Sequence, residues 1–271
     1  MIPFDYITEW RSQAPWVQDA QVEQDLILSR AVVEVFQNPV VSRALAFRGG
    51  TALYKLHLHP PARYSDDIDL VQLSPEPIGH VIDSIRSDLD PWLGTPKRML
   101  KTDSVSLIYR MNSEGQPSLP MRLKIEINSR EHLTVLGVEE REFAVQSRWF
   151  NATAAVKTFQ LEELLGTKLR ALYQRKKGRD LFDLFAADRL AAVSTEIVVE
   201  CFLRYMEHQG LSVSRALMEM NLDEKLSDER FLMDIGSLIA PDFTWDAAEA
   251  AEYVLQELIA LLPGDPWKGH V

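Results

Sequence analysis

Hydrophobic and polar positions divide the chain into a first half that mixes helices with strands and a second half that is helical. An apolar repeat of three to four residues is typical of an amphipathic helix, and strict alternation is typical of a half-buried strand. By these criteria the sequence predicts helices over residues 16–37, 51–57 and 77–90, and strands over residues 44–47, 65–73, 98–111, 121–129 and 142–150. The turn SEGQPS predicts that strands 98–111 and 121–129 form a long β-hairpin.

After about residue 155 the pattern changes to helices alone. They are predicted over residues 161–174, 180–190, 194–209 and 245–262, with a break at Lys176-Lys177-Gly178. The sequence therefore predicts an α/β domain over residues 1–155, followed by a helical domain over residues 156–271.

Composition narrows the class of protein. The chain has 271 residues, of which 46% are hydrophobic and 25% charged, so we expect a soluble globular protein rather than a disordered one. No apolar run reaches the roughly 18 residues of a membrane span, and the N-terminus lacks the basic start and apolar stretch of a secretory signal. The single cysteine, Cys201, cannot form an internal disulfide and is expected to be a small core residue. A reducing, cytoplasmic setting is the expectation.

Charge is distributed unevenly along the chain. The net charge of −11 argues against tight, non-specific binding of nucleic acid. Residues 157–180, however, hold seven Lys and Arg against three Asp and Glu. The basic residues Arg175, Lys176, Lys177 and Arg179 predict either a solvated loop or a patch that faces RNA.

Two glycines, Gly49 and Gly50, stand between the predicted strand 44–47 and the predicted helix that begins at Thr51. Glycine lets a backbone approach a phosphate closely, and a helix N-terminus offers N–H groups with the positive end of the helix dipole. The pair is therefore consistent with a phosphate-binding turn, and also with a plain tight turn.

Three carboxylates are candidates for chemistry. Asp67 and Asp69 are two apart on a predicted strand, so they face the same side, while Asp66 faces the other. Paired carboxylates of this kind are hard oxygen ligands that suit Mg²⁺. Glu126 lies on the polar face of strand 121–129, and it would complete the site if that strand lay beside Asp67 and Asp69. The alternative is an exposed sheet face with ordinary acids.

Four blocks in this order resemble the AbiEii/AbiGii-type nucleotidyltransferase toxins of type IV toxin–antitoxin and phage-abortive-infection systems, within the polymerase-β-like nucleotidyltransferase superfamily. The blocks are GGTAL at 49–53, RYSDDIDL at 63–70, KIEIN at 124–128, and LEELLGTKLRAL at 161–172 running into RKKGRDLFDL at 175–184. The resemblance covers roughly residues 44–190. It implies a polymerase-β-like α/β (α+β) domain with a mixed sheet, and a C-terminal helical bundle that closes the active-site cleft.

The resemblance also implies roles for individual residues. Asp67, Asp69 and Glu126 would hold Mg²⁺ or Mn²⁺, with Glu126 completing the site or orienting the attacking hydroxyl. The nucleoside triphosphate would contact Gly49, Gly50, Thr51, Arg63, Ser65, Lys168 and Asp180, and Asp183 would join the catalytic residues. Lys168 lies in the apolar stripe of its predicted helix, where a lysine either reaches outward to solvent or binds a buried anion. Asp180 could instead be an N-cap with Asp183 at the third helical position.

The expected activity is transfer of a nucleoside monophosphate from an NTP to an acceptor hydroxyl. The resemblance points to the 3′ end of tRNA as acceptor, to a toxin whose cognate antitoxin is encoded nearby without necessarily binding it, and to no membrane partner. In some relatives a serine or threonine near this site is phosphorylated, and Ser65 is the matching candidate. The alternatives are nucleotidylation of a protein or a small molecule, and a nucleotide-binding module without catalysis.

Overall fold

The computed structural model describes residues 2–269, which form two compact units. Unit 1 comprises residues up to His57, Arg63–Leu133 and Val138–Phe159. Unit 2 comprises Leu58–Ala62, Thr134–Gly137 and the chain from Gln160 onward. The main boundary lies after Phe159, because the last strand of unit 1 runs to that residue.

Unit 1 is built on a seven-stranded mixed sheet. The strands are β1 (Leu45–Arg48), β2 (Asp67–Gln72), β3 (Lys97–Leu100), β4 (Ser104–Asn112), β5 (Pro120–Asn128), β6 (Val138–Gln146) and β7 (Asn151–Phe159). Their order across the sheet is β3-β4-β5-β2-β1-β7-β6. The pairs β2–β5 and β1–β7 are parallel and the others are antiparallel. The expected α/β fold with a mixed sheet is confirmed.

Helices of unit 1 lie before and between the strands. They are α1 (Phe4–Trp10), α2 (Asp19–Gln37), α3 (Pro39–Ala44), α4 (Gly49–Ala52), which continues as a π-helical turn (Leu53–His57), and α5 (Gly79–Leu93). Helix α2 packs against β5, β6 and β7. Asn38 ends α2, and its side chain accepts the backbone N–H of Val40 to cap α3.

The sheet is apolar on one face and polar on the other along its central strands. In β5, the side chains of Leu123, Ile125 and Ile127 are fully buried, while the alternate positions are partly exposed. Because strand side chains alternate between faces, burial of one set directs Lys124 and Glu126 to the opposite side.

Unit 2 is helical. Its helices are α6 (Leu161–Gln174), α7 (Gly178–Leu190), α8 (Thr195–His208), α9 (Arg215–Leu226), α10 (Glu229–Met233) and α11 (Ala247–Tyr253). The chain continues from α11 through a π-helical turn (Val254–Leu258) and a 3₁₀ turn (Ile259–Leu261). Helix α6 packs against α7 and α8, and a Cβ at Gly166 would lie 2.6 Å from Cys201 Cβ on α8. Cys201 is buried, as expected.

Two predicted strands differ from those observed. The predicted strand 98–111 is two strands, β3 and β4, which pair with each other through a short turn. The predicted strand 142–150 is wrong in its bounds, because residues 147–150 form the turn of the β6–β7 hairpin. Strand β7 alternates small residues such as Ala154 with polar ones, which gives a weak hydrophobic signal. Among residues 2–269, none of the helices is both long and apolar enough to cross a membrane.

Candidate functional site

The parallel pairing of β2 with β5 brings the predicted carboxylates together in unit 1. Asp69 lies opposite Glu126, and Asp67 lies opposite Lys124. Paired positions on neighbouring strands point to the same face of a sheet. Three carboxylates and one ammonium group therefore share the polar face of the central strands.

Lys124, for which the sequence predicted no role of its own, links two of these carboxylates. Its Nζ forms an ion pair with Glu126 and lies 3.6 Å from Oδ2 of Asp67. Glu126 also accepts a hydrogen bond from Ser104 Oγ at 3.0 Å. Residues two apart on a strand share one face of the sheet. The position of Lys124 two residues before Glu126 could therefore have indicated that the two side chains lie together.

The charges of this face shift the pKa values of its members. Burial, and then the charge of Asp66, raise the pKa of Asp67. Burial would raise the pKa of Glu126, but the hydrogen bond and charge of Lys124 outweigh it and leave that pKa lowered. Burial likewise would lower the pKa of Lys124, but its carboxylate partners hold that pKa above its usual value. The pair of Lys124 and Glu126 is therefore charged at neutral pH.

The donor chemistry of Asp67 and Asp69 fits a magnesium ion, since both offer hard carboxylate oxygens from one face. The side chains of residues 2–269 nevertheless contain no group of three or more His, Cys, Asp or Glu already gathered as metal ligands. Here Lys124 supplies the positive charge between Asp67 and Glu126. Asp67 and Asp69 are residues that would hold a metal, and Glu126, the third expected ligand, is engaged by Lys124 and Ser104 in this structure.

The two glycines are held against this face by close contacts. Gly49 has a φ of +80°, which favours glycine, and a Cβ built there would lie 2.4 Å from Oδ2 of Asp69. A Cβ at Gly50 would lie 2.2 Å from the guanidinium of Arg63. Any side chain at either position would therefore displace Asp69 or Arg63.

Thr51 and Ser65 tie the glycine turn to β2. Thr51 Oγ1 donates to the main-chain oxygen of Asp67 at 2.6 Å and lies 2.8 Å from Ser65 Oγ. Arg63 is buried, donates to the main-chain oxygen of Tyr64 at 2.9 Å and lies over the ring of Tyr54. The five predicted nucleotide contacts of unit 1 therefore gather beside Asp67 and Asp69.

The other predicted site residues form a buried cluster in unit 2. Lys168 Nζ lies 2.8 Å from Asp183 Oδ2 and 3.4 Å from Asp180 Oδ1. Arg175 donates to both carboxylate oxygens of Asp180, at 2.7 and 2.8 Å. The carboxylates are fully buried and Lys168 is 6% exposed, so within unit 2 the buried anions that Lys168 reaches are carboxylates of the protein.

The N-cap interpretation of Asp180 is wrong. Helix α7 begins at Gly178 with Lys177 as its N-cap, so Asp180 is the third helical residue. Its side chain binds Arg175 and Lys168 rather than capping the helix. Asp183 is the sixth residue of α7, which excludes it from the third position.

The predicted basic patch is paired with acids of unit 2. Arg175 binds Asp180, Lys176 lies near Glu224 and Asp228, and Lys177 and Arg179 lie near Asp234, in exposed or partly exposed pairs. The exposed pairs of Lys176, Lys177 and Arg179 contribute about 0–1 kcal/mol each, so a phosphate could displace their acidic partners. The pair of Arg175 differs, because its partner Asp180 is fully buried.

Comparison with known proteins finds one matching family model and solved structures of similar fold. The family model described as "Nucleotidyl transferase AbiEii toxin, Type IV TA system" matches residues 30–253. The fold is similar to that of MenT4, a nucleotidyltransferase toxin from Mycobacterium tuberculosis H37Rv, with a TM-score of 0.63 at 15% identity over 97% of this chain and 91% of that one. It is also similar to JHP933 from Helicobacter pylori, with a TM-score of 0.51 at 19% identity over 89% of this chain and 92% of that one. No protein of curated function matches the sequence.

Proposed function

The chain belongs to the AbiEii nucleotidyltransferase toxin family of type IV toxin–antitoxin systems. From that premise we propose that it transfers a nucleoside monophosphate from an NTP to a hydroxyl at the 3′ end of an RNA. The expected acceptor is tRNA. Family membership makes the chain a nucleotidyltransferase. The acceptor, the metal and the roles of individual residues are the proposal.

The observation that carries the proposal is the contact between the glycine turn and the acidic face. Gly49 leaves room for the carboxylate of Asp69, and Gly50 leaves room for the guanidinium of Arg63. The arrangement brings hydrogen-bonding groups for phosphate within reach of carboxylates on β2. A triphosphate bound at this turn would place its α-phosphate beside Asp67 and Asp69.

The chemistry is a single displacement at the α-phosphate. The acceptor hydroxyl oxygen forms a bond to the α-phosphorus, the bond from that phosphorus to the bridging oxygen breaks, and pyrophosphate leaves. Mg²⁺ held by Asp67 and Asp69 would offset the negative charge that develops on the phosphates. We assign Glu126, fixed by Lys124 and Ser104, to orienting the attacking hydroxyl or accepting its proton.

Lys168 is proposed to contribute to phosphate binding, as the family resemblance implies. Its ammonium is fixed by Asp183 and Asp180 on α7 rather than free to rotate. Asp180 and Asp183 are then positioning residues for Lys168. The basic residues Arg175, Lys176, Lys177 and Arg179 are proposed to approach the RNA backbone. Lys176, Lys177 and Arg179 would exchange acidic partners for phosphates, while Arg175 would stay bound to Asp180.

The family implies a cognate antitoxin, which we propose is encoded nearby and need not form a stable complex with the toxin. Ser65 is the candidate for control by phosphorylation, because its Oγ lies 2.8 Å from Thr51 Oγ1 at the glycine turn. A phosphate there would add negative charge beside Asp67 and compete with the triphosphate.

The test is to incubate the protein with each of four NTPs labelled at the α-phosphate, together with separate fractions of RNA, protein and small metabolites. We expect label in the RNA fraction alone, released by removal of the 3′-terminal nucleotide. Label only in protein or only in metabolites would show that the acceptor differs. No label in any fraction, with folded protein, would favour a non-catalytic module.

A further inference from the structure

A pocket of about 490 Å³ opens in unit 1 at the end of the sheet where β5 begins. Six of its lining residues are polar or charged: Gln21, Gln24, Tyr64, Asp66, Arg110 and Arg122. The lining residues carry two positive charges against one negative, although the whole chain is acidic.

The two arginines of the pocket lie directly opposite each other across the antiparallel pair β4–β5. Like charges in such pairs destabilise a sheet. Within residues 2–269, neither guanidinium has an ion-pair or hydrogen-bond partner, whereas the basic residues 175–179 described above all lie near acids. An anionic ligand bound between the two guanidinium groups would offset their mutual repulsion.

Gln24 provides a second, independent sign of a ligand. Its side chain is 4% exposed, and Nε2 donates to the main-chain oxygen of Arg122 at 2.7 Å. Its Oε1 is buried without a hydrogen-bond partner among residues 2–269. A buried acceptor without a donor costs roughly 1–3 kcal/mol, so the pocket suits a ligand that brings both an anion and a donor. A nucleotide unit does so, with its phosphate and its hydroxyl or amino groups.

The pocket lies beside the acidic face on the side away from the glycine turn. Arg122 shares its face of β5 with Lys124 and Glu126, because the three are spaced two apart. In the strand order β4-β5-β2-β1, the carboxylates of β2 lie between the arginine pair and the turn that follows β1.

We propose that this pocket binds the phosphate backbone of the acceptor strand, with Arg110 and Arg122 contacting phosphate and Gln24 Oε1 accepting a hydrogen bond from the adjoining nucleotide. An acceptor must approach the α-phosphate from the side opposite the leaving pyrophosphate, and the strand order puts the arginine pair and the glycine turn on opposite sides of β2. The location of the acceptor therefore rests on the proposed function.

The experiment measures binding of a short fluorescent single-stranded RNA by anisotropy over a range of salt concentrations. The double variant R110A/R122A should weaken RNA binding about tenfold and make the salt slope shallower by about 1.4, since each phosphate contact on a single strand contributes about 0.7. Binding of the four NTPs, measured by equilibrium dialysis, should change less than twofold. The variant should melt no lower than wild type, because it removes a like-charge pair.

The control variant R43A/R204A removes the same charge from two exposed arginines on α3 and α8, and should leave RNA affinity within twofold. Gln24→Met should weaken RNA binding without changing the salt slope. Equal RNA affinity in R110A/R122A and wild type would overturn the proposal, as would an equal loss in the control. A parallel loss of NTP binding would assign the pocket to the triphosphate instead. RNA binding is measured without nucleotide transfer. A failure of the RNA-binding proposal can therefore be distinguished from a failure of the proposed transferase activity.

Discussion

Replacing Gly49 by alanine tests whether the glycine turn positions the acidic face. The φ of +80° imposes a strain of about 1–2 kcal/mol on any residue with a Cβ. In addition, the new Cβ would meet Asp69 Oδ2 at 2.4 Å, whereas ordinary contact begins at 3.4 Å. The carboxylate must therefore move by about 1 Å, a displacement that costs roughly a hundredfold in rate when it affects a reacting group.

Gly94 offers a matched control for this substitution. Its φ of +79° is nearly the same, its ψ of −171° lies in a region that is essentially restricted to glycine, and a Cβ there would meet nothing within 4 Å. Gly94→Ala should therefore lose about 1–3 kcal/mol of unfolding free energy in urea titration and keep its transfer rate per folded molecule. Gly49→Ala should lose at least as much stability and about a hundredfold in transfer of label from NTP to RNA. Equal transfer rates in the two folded variants would refute the positioning of Asp69 by the turn.

Three further predictions concern stability. Lys225→Met should lower the unfolding free energy by about 2 kcal/mol in urea titration. Lys225 is buried, and its ammonium donates to the main-chain oxygens of Leu172 and Tyr173 at the end of α6. An unchanged midpoint of urea unfolding would contradict this prediction. Burial raises the pKa of Glu23 to about 7 from 4.5, so the folded state binds this proton more tightly than the unfolded chain. Its contribution to stability should fall as pH rises from 4.5 to 7 and then level off, and Glu23→Gln should remove that component from a pH series of melting curves; the same pH dependence in both proteins would contradict it. Gly166→Ala should destabilise the protein by about 1–3 kcal/mol, since its Cβ would lie 2.6 Å from Cys201 Cβ. A calorimetric melting temperature equal to that of wild type would contradict this and show that α6 and α8 can separate at little cost.

The sequence predicted the sheet best where one face is buried and the other polar. Strand β5 alternates fully, so both its existence and the face of Glu126 could be inferred, and the hairpin with β4 followed from the turn between them. Strand β7 could not be inferred in this way, because alanines and threonines give little hydrophobic contrast. The parallel pairing of β2 with β5 is a long-range contact that local periodicity does not encode.

The sequence indicated which residues form the site, but not most of the contacts that these residues make. The carboxylates and glycines could be singled out because their chemistry is specific and their spacing is local. The partners of Lys168 could not, because its ion pair with Asp183 depends on how α6 packs against α7. The N-cap interpretation of Asp180 failed for a related reason, since α7 begins two residues earlier, at Gly178. Arg110 and Arg122 could not be recognised as a pair from the sequence, because the register of β4 against β5 places them opposite each other.

The most direct measurement of the central claim compares nucleotide transfer by Asp67→Asn and Asp69→Asn with transfer by Asp83→Asn, an exposed acid on α5. Each protein is incubated with purified tRNA and each of the four labelled NTPs, and incorporated label and released pyrophosphate are counted together. The account predicts equal amounts of both products from wild type and Asp83→Asn, and at least a hundredfold less from the two variants on β2. Transfer by Asp67→Asn and Asp69→Asn at the wild-type rate would contradict it.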